Sequence, residues 1–374
     1  MAVYKLGDII ILNQTFKQGE EIKYLELSGI GDFSIKTIKN HQIPSRAKWD
    51  IDKDTIIIGR VRPLNKNHNI YRDTERIVGS SGFTCFKSDN VNVLNDYLWF
   101  ALQSVKFLSY TSDNAKGSTY PEISQKDLFE YKFFAPSLSE QEKIIEIIKP
   151  AENLFLKYPN LVRIDSVENC EKDIKDLIEI IKPFEDLLVK LNMLKMNILN
   201  IISNIPCSNK KFTLSSVSSI ENNAPKGIHQ VSAKIMKKRD PSIYNLESPG
   251  TYKSNSFFAP KGTLLINTIR PNLNKFCILP TDADYNGTNL AVKINSKQTA
   301  IIKSLINNDF WEQCILLTKG TKMPIISKND LLHTVIFEDV KTEIPDLFKI
   351  FQKINYLELK IEETKKELIS LLIK

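Results

Sequence analysis

The nine-residue stretch KGSTYPEIS, Lys116–Ser124, returns later in the chain as KGTKMPIIS, Lys319–Ser327; both read K-G-[ST]-x-x-P-x-I-S. The loop contains no nucleophile–base pair and no metal-ligand spacing. Its recurrence decides the architecture, because an internal repeat constrains every element around it. The match continues past the loop. ISQKDLFEYKFF faces ISKNDLLHTVIF, with Asp127 over Asp330 and Leu128 over Leu331. Upstream, KDTIIIGRVRPLNKN (Lys53–Asn67) faces KGTLLINTIRPNLNK (Lys261–Lys275), so Arg62 falls over Arg270. IVGSSGFTCFKS then faces YNGTNLAVKINS, with Gly79 over Gly287.

Each half therefore shows one order of elements. A β-branched strand ends in Arg-Pro; a polar Asn/Lys loop, a Gly-centred turn, a second strand, a helical stretch, the K-G loop and a final strand follow. A repeat this long is not a solenoid, and the fold class expected is α+β with a duplicated domain. Between and after the two halves the pattern becomes helical. Ser139 to about Lys157 reads as a helix with Ser139 as N-cap and Glu142 completing a capping box, broken near Pro150 and stopped before Pro159. From Ile174 the apolar positions Ile174, Leu177, Ile181, Phe184, Leu188, Leu191, Ile198 and Ile202 alternate three and four apart, with Lys195 as the polar member. Leu347, Ile350, Ile354, Leu357, Ile361, Leu368 and Leu371 form a second seam, with Thr364 as its polar member. Two such stripes in one chain are expected to bury each other as an antiparallel coiled coil.

The chain has 374 residues, 42% hydrophobic and 25% charged, which suits a folded chain of two or more domains. Its formal charge of +7 is compatible with a polyanionic partner without requiring one. Five scattered cysteines without a C-x-x-C argue against a disulfide framework or zinc site. The four histidines, His41, His68, His229 and His333, are isolated, so no metal is expected. No secretory signal and no apolar run of membrane-spanning length is read, which makes the cytoplasm the expected compartment. There is no N/D-P-P-Y/F motif, no P-loop, no Gly-rich dinucleotide turn and no G-x-S-x-G elbow. An enzyme is thereby disfavoured.

Domain, helix, domain, helix, with KGSTYPEISQKDLFEYKFFAPSLSEQEKI in the first half and KGTKMPIISKNDL in the second, resembles the specificity subunit of type I restriction–modification systems (HsdS). The entry PSLSEQEKI, Pro136–Ile144, is especially similar. The second half departs from it, with TEIPDLFKI at Thr342–Ile350, and YPNLVRIDSVENCEKD at Tyr158–Asp173 reads as an insertion echoed by IIEIIKPAENLF and LIEIIKPFEDLL around it. The resemblance implies two target recognition domains of mixed α/β build, residues 1–136 and 207–342. A helical spacer, 137–206, and a C-terminal helix, 343–374, separate them in a pseudo-two-fold arrangement. It also implies that the domains read a bipartite double-stranded DNA sequence and that the helices act as a ruler between half-sites. Two methyltransferase subunits would dock on the spacer, carrying the S-adenosylmethionine that this chain does not bind, and restriction/translocase subunits could join. Alternatives are the recognition subunit of a related type II system, two-subunit or fused, an enzyme with an unreadable site, or a coiled-coil adaptor that binds protein only.

A DNA reader needs cations for phosphates and planar amide or guanidinium groups for base edges. The first half offers Arg60, Arg62, Lys66, Asn67 and Arg72, with Ser80 and Ser81 at the Gly turn and Lys116, Ser118 and Thr119 in the K-G loop. The second offers Thr268, Arg270, Asn272, Asn274 and Lys275, with Thr288 at its turn and Lys319, Thr321 and Lys322 in its loop. Arg60 faces Thr268, so Arg60 is the expected half-site-specific reader. Arg62 and Arg270 match, which suits a phosphate contact or a structural role. The expected helix–helix interface is Ile174, Leu177, Ile181, Leu188, Leu191 and Ile198 against Leu347, Ile350, Ile354, Leu357, Ile361 and Leu368.

Overall fold

The computed structural model describes residues 2–17, 21–31, 33–243, 245–251, 255–320, 323–339 and 343–373. It forms two compact units, Met1–Lys182 with Leu372–Lys374, and Pro183–Leu371.

In unit 1 the apolar run of Thr55–Gly59 lies inside a four-stranded antiparallel sheet. The strand order is Ile10–Leu12, Phe83–Ser88, Thr55–Gly59, His68–Tyr71. Every residue of Thr55–Gly59 is buried, so both faces of this strand are covered and the polar–apolar alternation of a half-exposed strand is lost. A second sheet, in the order Ile35–Lys39, Glu21–Leu25, Ile77–Ser80, Ala47–Ile51, contains one parallel pairing, Tyr24 with Val78. Ala2–Lys5 pairs with Lys132–Ala135, bringing the chain start beside the strand that leads into the helices.

Unit 2 has a four-stranded antiparallel sheet of matching order: Ser218–Ile220, Asn289–Ile294, Leu264–Asn267, Phe276–Ile278. Leu264 and Ile266 enter one core cluster, with Leu199, Ile202, Leu347 and Phe351. Leu265, between them in sequence, enters another, with Val231, Ile243 and Tyr285. Successive side chains thus feed opposite faces, both of them buried. A three-stranded sheet (Gln230–Val231, Ala283–Asn286, Ser256–Ala259) and the pair Cys207–Thr213 with Val335–Asp339 complete the β structure.

The helices join these units rather than standing apart. In unit 1 Leu138–Ile148 runs into a 3-10 turn at Lys149–Ala151, where Pro150 cannot continue the ladder, and Glu152–Lys157 ends before Pro159. The capping box is Ser137 with Glu140, two residues earlier than the sequence suggested. S-L-S-E and S-E-Q-E both satisfy the pattern, and the backbone uses the first. Gln141 is fully buried: its amide donates to Asn92 O (3.0 Å) and Pro136 O (2.9 Å), and its oxygen accepts from Leu94 N (2.8 Å). The segment read as an insertion is built into this unit. Arg163 holds Asp173 through Nε at 2.9 Å and Nη2 at 3.1 Å. The helix Val167–Asp176 packs on Leu138–Ile148 and passes through a π-helical turn, Leu177–Ile181, just before Pro183. Ile174, Leu177 and Ile181 are buried as expected, but in unit 1.

In unit 2 the helices Lys182–Ser203 and Leu347–Leu372 are joined by ion pairs. Lys195 Nζ meets Glu358 Oε1 at 3.5 Å, and Lys365 Nζ meets Glu185 Oε1 at 2.8 Å. The earlier residue of one helix pairs with the later residue of the other, so they run antiparallel. Leu188, Leu191 and Ile198 are half-buried and lie on the expected face. On the C-terminal helix Leu347, Ile354 and Ile361 are buried and Leu368 is half-buried, but Ile350 and Leu357 are 37% and 48% exposed. Their places in the buried stripe belong to Phe351 and Glu358, and that of exposed Thr364 belongs to Lys365. The apolar pattern chose Leu357 over Glu358; the structure reverses this because Glu358 has a buried cation to face. Lys195, read as the polar member of its seam, is 0% exposed and also meets Asp240 Oδ2 (3.2 Å) and Ser242 Oγ (2.8 Å). Asn355 closes the same node, donating to Pro241 O and Ile278 O at 2.9 Å each. Burial pushes the Glu358 carboxyl up, and Lys195 opposes it.

Removing one member of a buried ion pair leaves the others uncompensated. Lys195→Ala is expected to destabilise unit 2 by about 3–5 kcal/mol, measured by chemical denaturation of the full chain. A loss below ~1 kcal/mol would mean that the node contributes little.

Candidate nucleic-acid interface

The Arg-Pro and K-G segments are far apart in sequence and meet in each unit. Arg62 N donates to Pro121 O at 2.6 Å, and Arg270 N donates to Pro324 O at 2.7 Å. Both arginines adopt the left-handed conformation, Arg62 at φ 51° and Arg270 at φ 50°, and each is followed by a buried proline opening a 3-10 turn. Left-handed backbone is uncommon for a bulky residue, and here the same geometry occurs twice.

The K-G loop is a tight hairpin. Lys116 and Glu122 exchange both backbone hydrogen bonds at 2.9 Å; Lys319 and Ile325 do so at 2.9 and 3.0 Å. Gly117 at φ +106° and Gly320 at φ +90° supply the reversal, in a region that disfavours a Cβ. The Ile of the motif, Ile123 or Ile326, is buried and anchors the hairpin. The Ser caps a short helix: Ser124 Oγ accepts from Asp127 N, and Ser327 Oγ from Asp330 N, each at 3.0 Å. In unit 1 every fixed position of the motif therefore has a local structural task, apart from the Lys116 side chain and the Ser118 hydroxyl.

Those side chains remain at the surface. Lys116, Ser118, Thr119 and Arg62 are exposed in unit 1, and Arg270, Asn272 and Lys319 in unit 2. Thr321 and Lys322 lie outside the described residues. Arg62 Nη2 donates to Thr119 O (3.2 Å), and its guanidinium lies 4.3 Å from the centre of the Tyr120 ring. Asn67 and Thr288 are half-buried, and Asn67 O accepts from Gly59 N at 2.7 Å.

Several other expected contacts are committed to the protein. Arg60, the expected reader, is a strut: Nη2 donates to Ser81 O at 2.9 Å and Nη1 meets Glu122 Oε1 at 2.9 Å. Arg72 is held by Asp54 (3.0 Å), Asp96 (2.6 Å) and Glu152 (3.7 Å). Lys66 donates to Leu156 O at 3.4 Å, and burial lowers its pKa. Lys275 donates to Ala233 O at 2.7 Å. Thr268 is buried and donates to Thr288 O at 2.7 Å. Asn274 is buried; in the amide orientation that satisfies both its atoms, the oxygen accepts from Arg239 Nε at 2.9 Å. Ser80 is buried and accepts from Gly82 N at 3.3 Å. Next to Lys66, His68 lies edge-on to Trp99 and Phe107, and burial first, then Lys66, drives it down to about 3, which keeps it neutral. Charge and position in a polar run suggested these residues as contacts. The acidic and carbonyl partners that occupy them come from other segments.

Two units that each hold an exposed Arg and Lys at a closed hairpin present charges that suit a polyanion. Residues 1–163 match the family model described as type I restriction modification DNA specificity domain. No curated protein matches the chain. Solved structures similar to it include the HsdS subunit from Thermoanaerobacter tengcongensis, at 16% identity and TM-score 0.40, covering 100% of this chain and 94% of that one. Another is a chain from work on complex assembly and conformational transition of the type I R-M system, at 15% identity and TM-score 0.44, covering 100% and 95%. A third is the type I restriction-modification system S subunit from M. genitalium, at 13% and 0.44, covering 99% and 92%.

Two outcomes follow from the geometry. Arg60→Met is expected to lower stability by about 1–2 kcal/mol in denaturant unfolding, because it strands Ser81 O and Glu122. A variant as stable as the parent would return Arg60 to the list of contacts. For Asp96, burial raises the pKa, but Lys149 and Arg72 outweigh it and hold the carboxyl below its usual value. That stabilisation is present above the unfolded-state pKa and is lost as pH falls through the lowered folded value. Asp96→Asn is therefore expected to flatten the loss of stability of the chain below about pH 4. An unchanged acid limb in a pH series of melting curves would exclude the role.

Proposed function

We propose that the chain is the DNA sequence-recognition subunit of a type I restriction–modification system and itself catalyses nothing. Each unit is a target recognition domain that reads one part of a bipartite double-stranded DNA target. The observation that carries this reading is the clasp. The Arg-Pro turn hydrogen-bonded to the K-G hairpin lies within the matched residues 1–163 and recurs in unit 2 with the same backbone angles. The recurrence supports a duplicated domain. Arg62, Lys116, Arg270 and Lys319 are the phosphate contacts in this reading, and Ser118 and Thr119 add hydroxyl donors.

The antiparallel helices Lys182–Ser203 and Leu347–Leu372 are a coiled coil that serves as the ruler between half-sites. Two methyltransferase subunits dock on the helical spacer and carry S-adenosylmethionine; translocase–endonuclease subunits join them. The complex works in the cytoplasm. The antiparallel ion pairs support the coiled coil. Among the described residues no helix is long and apolar enough to cross a membrane.

Co-expression with the methyltransferase subunit is expected to yield a complex that marks one bipartite motif in methylome sequencing. In that complex, Lys116→Ala and Arg270→Ala are each expected to weaken DNA binding evenly across sequences. Each should reduce the slope of log K against log salt by about 1. DNA affinity that does not depend on salt would exclude the reading.

A further inference from the structure

Tyr120 was not among the residues that composition or charge marked out, and it is 64% exposed at the tip of the unit 1 hairpin. Its surroundings are unusually fixed for an exposed ring. The hairpin is closed by the Lys116–Glu122 pair, and the carbonyl of Pro121, the next residue, accepts from Arg62 N at 2.6 Å. Arg62 then covers one ring face at 4.3 Å. A cation over an aromatic face restrains both groups at modest energy. The phenol hydroxyl makes no hydrogen bond within the described residues. One donor–acceptor group therefore stands ready on a restrained ring, and Leu64, on the turn that follows Arg62, is 71% exposed.

Unit 2 carries the same scaffold with different tips. Met323 stands where unit 1 has Tyr120 and is 51% exposed, and exposed Asn272 stands where unit 1 has Leu64. Groups shared by both units, Arg62 with Arg270 and Lys116 with Lys319, suit the phosphate backbone, which is the same at every site. Groups that differ on a common scaffold suit base edges, which are not.

We infer that Tyr120, positioned by Arg62, is a specificity-determining residue that contacts base edges in the half-site read by unit 1, and that Met323 is its counterpart in unit 2. The hydroxyl can donate to or accept from a groove edge, and Leu64 can meet a thymine methyl. A thioether at the same place offers apolar contact and a weak acceptor. This inference rests on the recognition-subunit reading.

The test uses the full chain in its complex with the methyltransferase subunit, with Tyr120→Phe, Tyr120→Met and Met323→Tyr. The readouts are methylome sequencing, the salt slope of DNA binding, and melting temperature as a check on folding. Tyr120→Met is expected to change the preference at one base position of one half-site, by roughly 5- to 100-fold. The gap, the other half-site and the salt slope stay as in the parent. Tyr120→Phe produces the same change if the hydroxyl reads the base, and a smaller one if the ring does. Met323→Tyr moves the opposite half-site only. An unchanged motif at full occupancy in all three variants overturns the inference, as does an even loss across all sequences with a shallower salt slope. If the parent complex marks no bipartite motif, the recognition-subunit reading fails, and this inference with it.

Discussion

One backbone hydrogen bond in each unit, from the arginine of Arg-Pro to the proline carbonyl of the K-G loop, organises the surface on which the functional reading depends. It measures 2.6 Å for Arg62 to Pro121 and 2.7 Å for Arg270 to Pro324. To reach that carbonyl the arginine adopts a left-handed backbone, a conformation that a non-glycine residue holds only where its surroundings compensate. The compensation comes from the buried proline that follows and from the buried isoleucine that anchors the hairpin. Once the bond is made, a strand end and a distant loop form one rigid ledge, with Arg62 or Arg270 and Lys116 or Lys319 left facing water.

The same economy of charge separates structural from available cations. Arg60, Lys66, Arg72 and Lys275 lie in or beside the same polar runs as Arg62 and Arg270, but each meets a carboxylate or a carbonyl in the fold. A half-buried guanidinium or ammonium has lost part of its hydration and needs such partners. Arg62 and Arg270 are positioned by a backbone bond and keep exposed side chains, although Arg62 Nη2 also donates to Thr119 O within the hairpin.

The helices show how a polar residue can define an interface that an apolar count misplaces. Lys195 was legible as the one polar place in a heptad seam, and its neighbours fall on the expected face. Its partner was not legible. Glu358 and Lys365 replace Leu357 and Thr364 in the buried stripe because a buried ammonium requires a carboxylate. The connection of domain to helix differs between units in a related way. Gln141 on the helix ties down the loop ahead of it in unit 1. In unit 2 Gln298 Oε1 accepts from Phe348 N at 2.9 Å, and Thr299 Oγ1 from Ile344 N at 2.8 Å. The second half has no E-Q entry because this contact is made from the other side.

By itself the sequence determined that two segments share one plan. The K-G motif and the Arg-Pro block are local requirements for turn geometry and capping, and local requirements are written in contiguous residues. The alternation of buried strands feeding two cores, the antiparallel sense of the helices and the burial of Lys195 were decided only by the tertiary structure. So was the division of cations into struts and exposed groups, with Arg60 on one side and Arg62 on the other. In each case the deciding partner is distant in sequence: Glu122 for Arg60, Pro121 for Arg62, Glu358 for Lys195. A charge in a polar run looks the same in sequence whether or not a carboxylate folds against it, and the desolvation that separates the two cases exists only once the chain is packed.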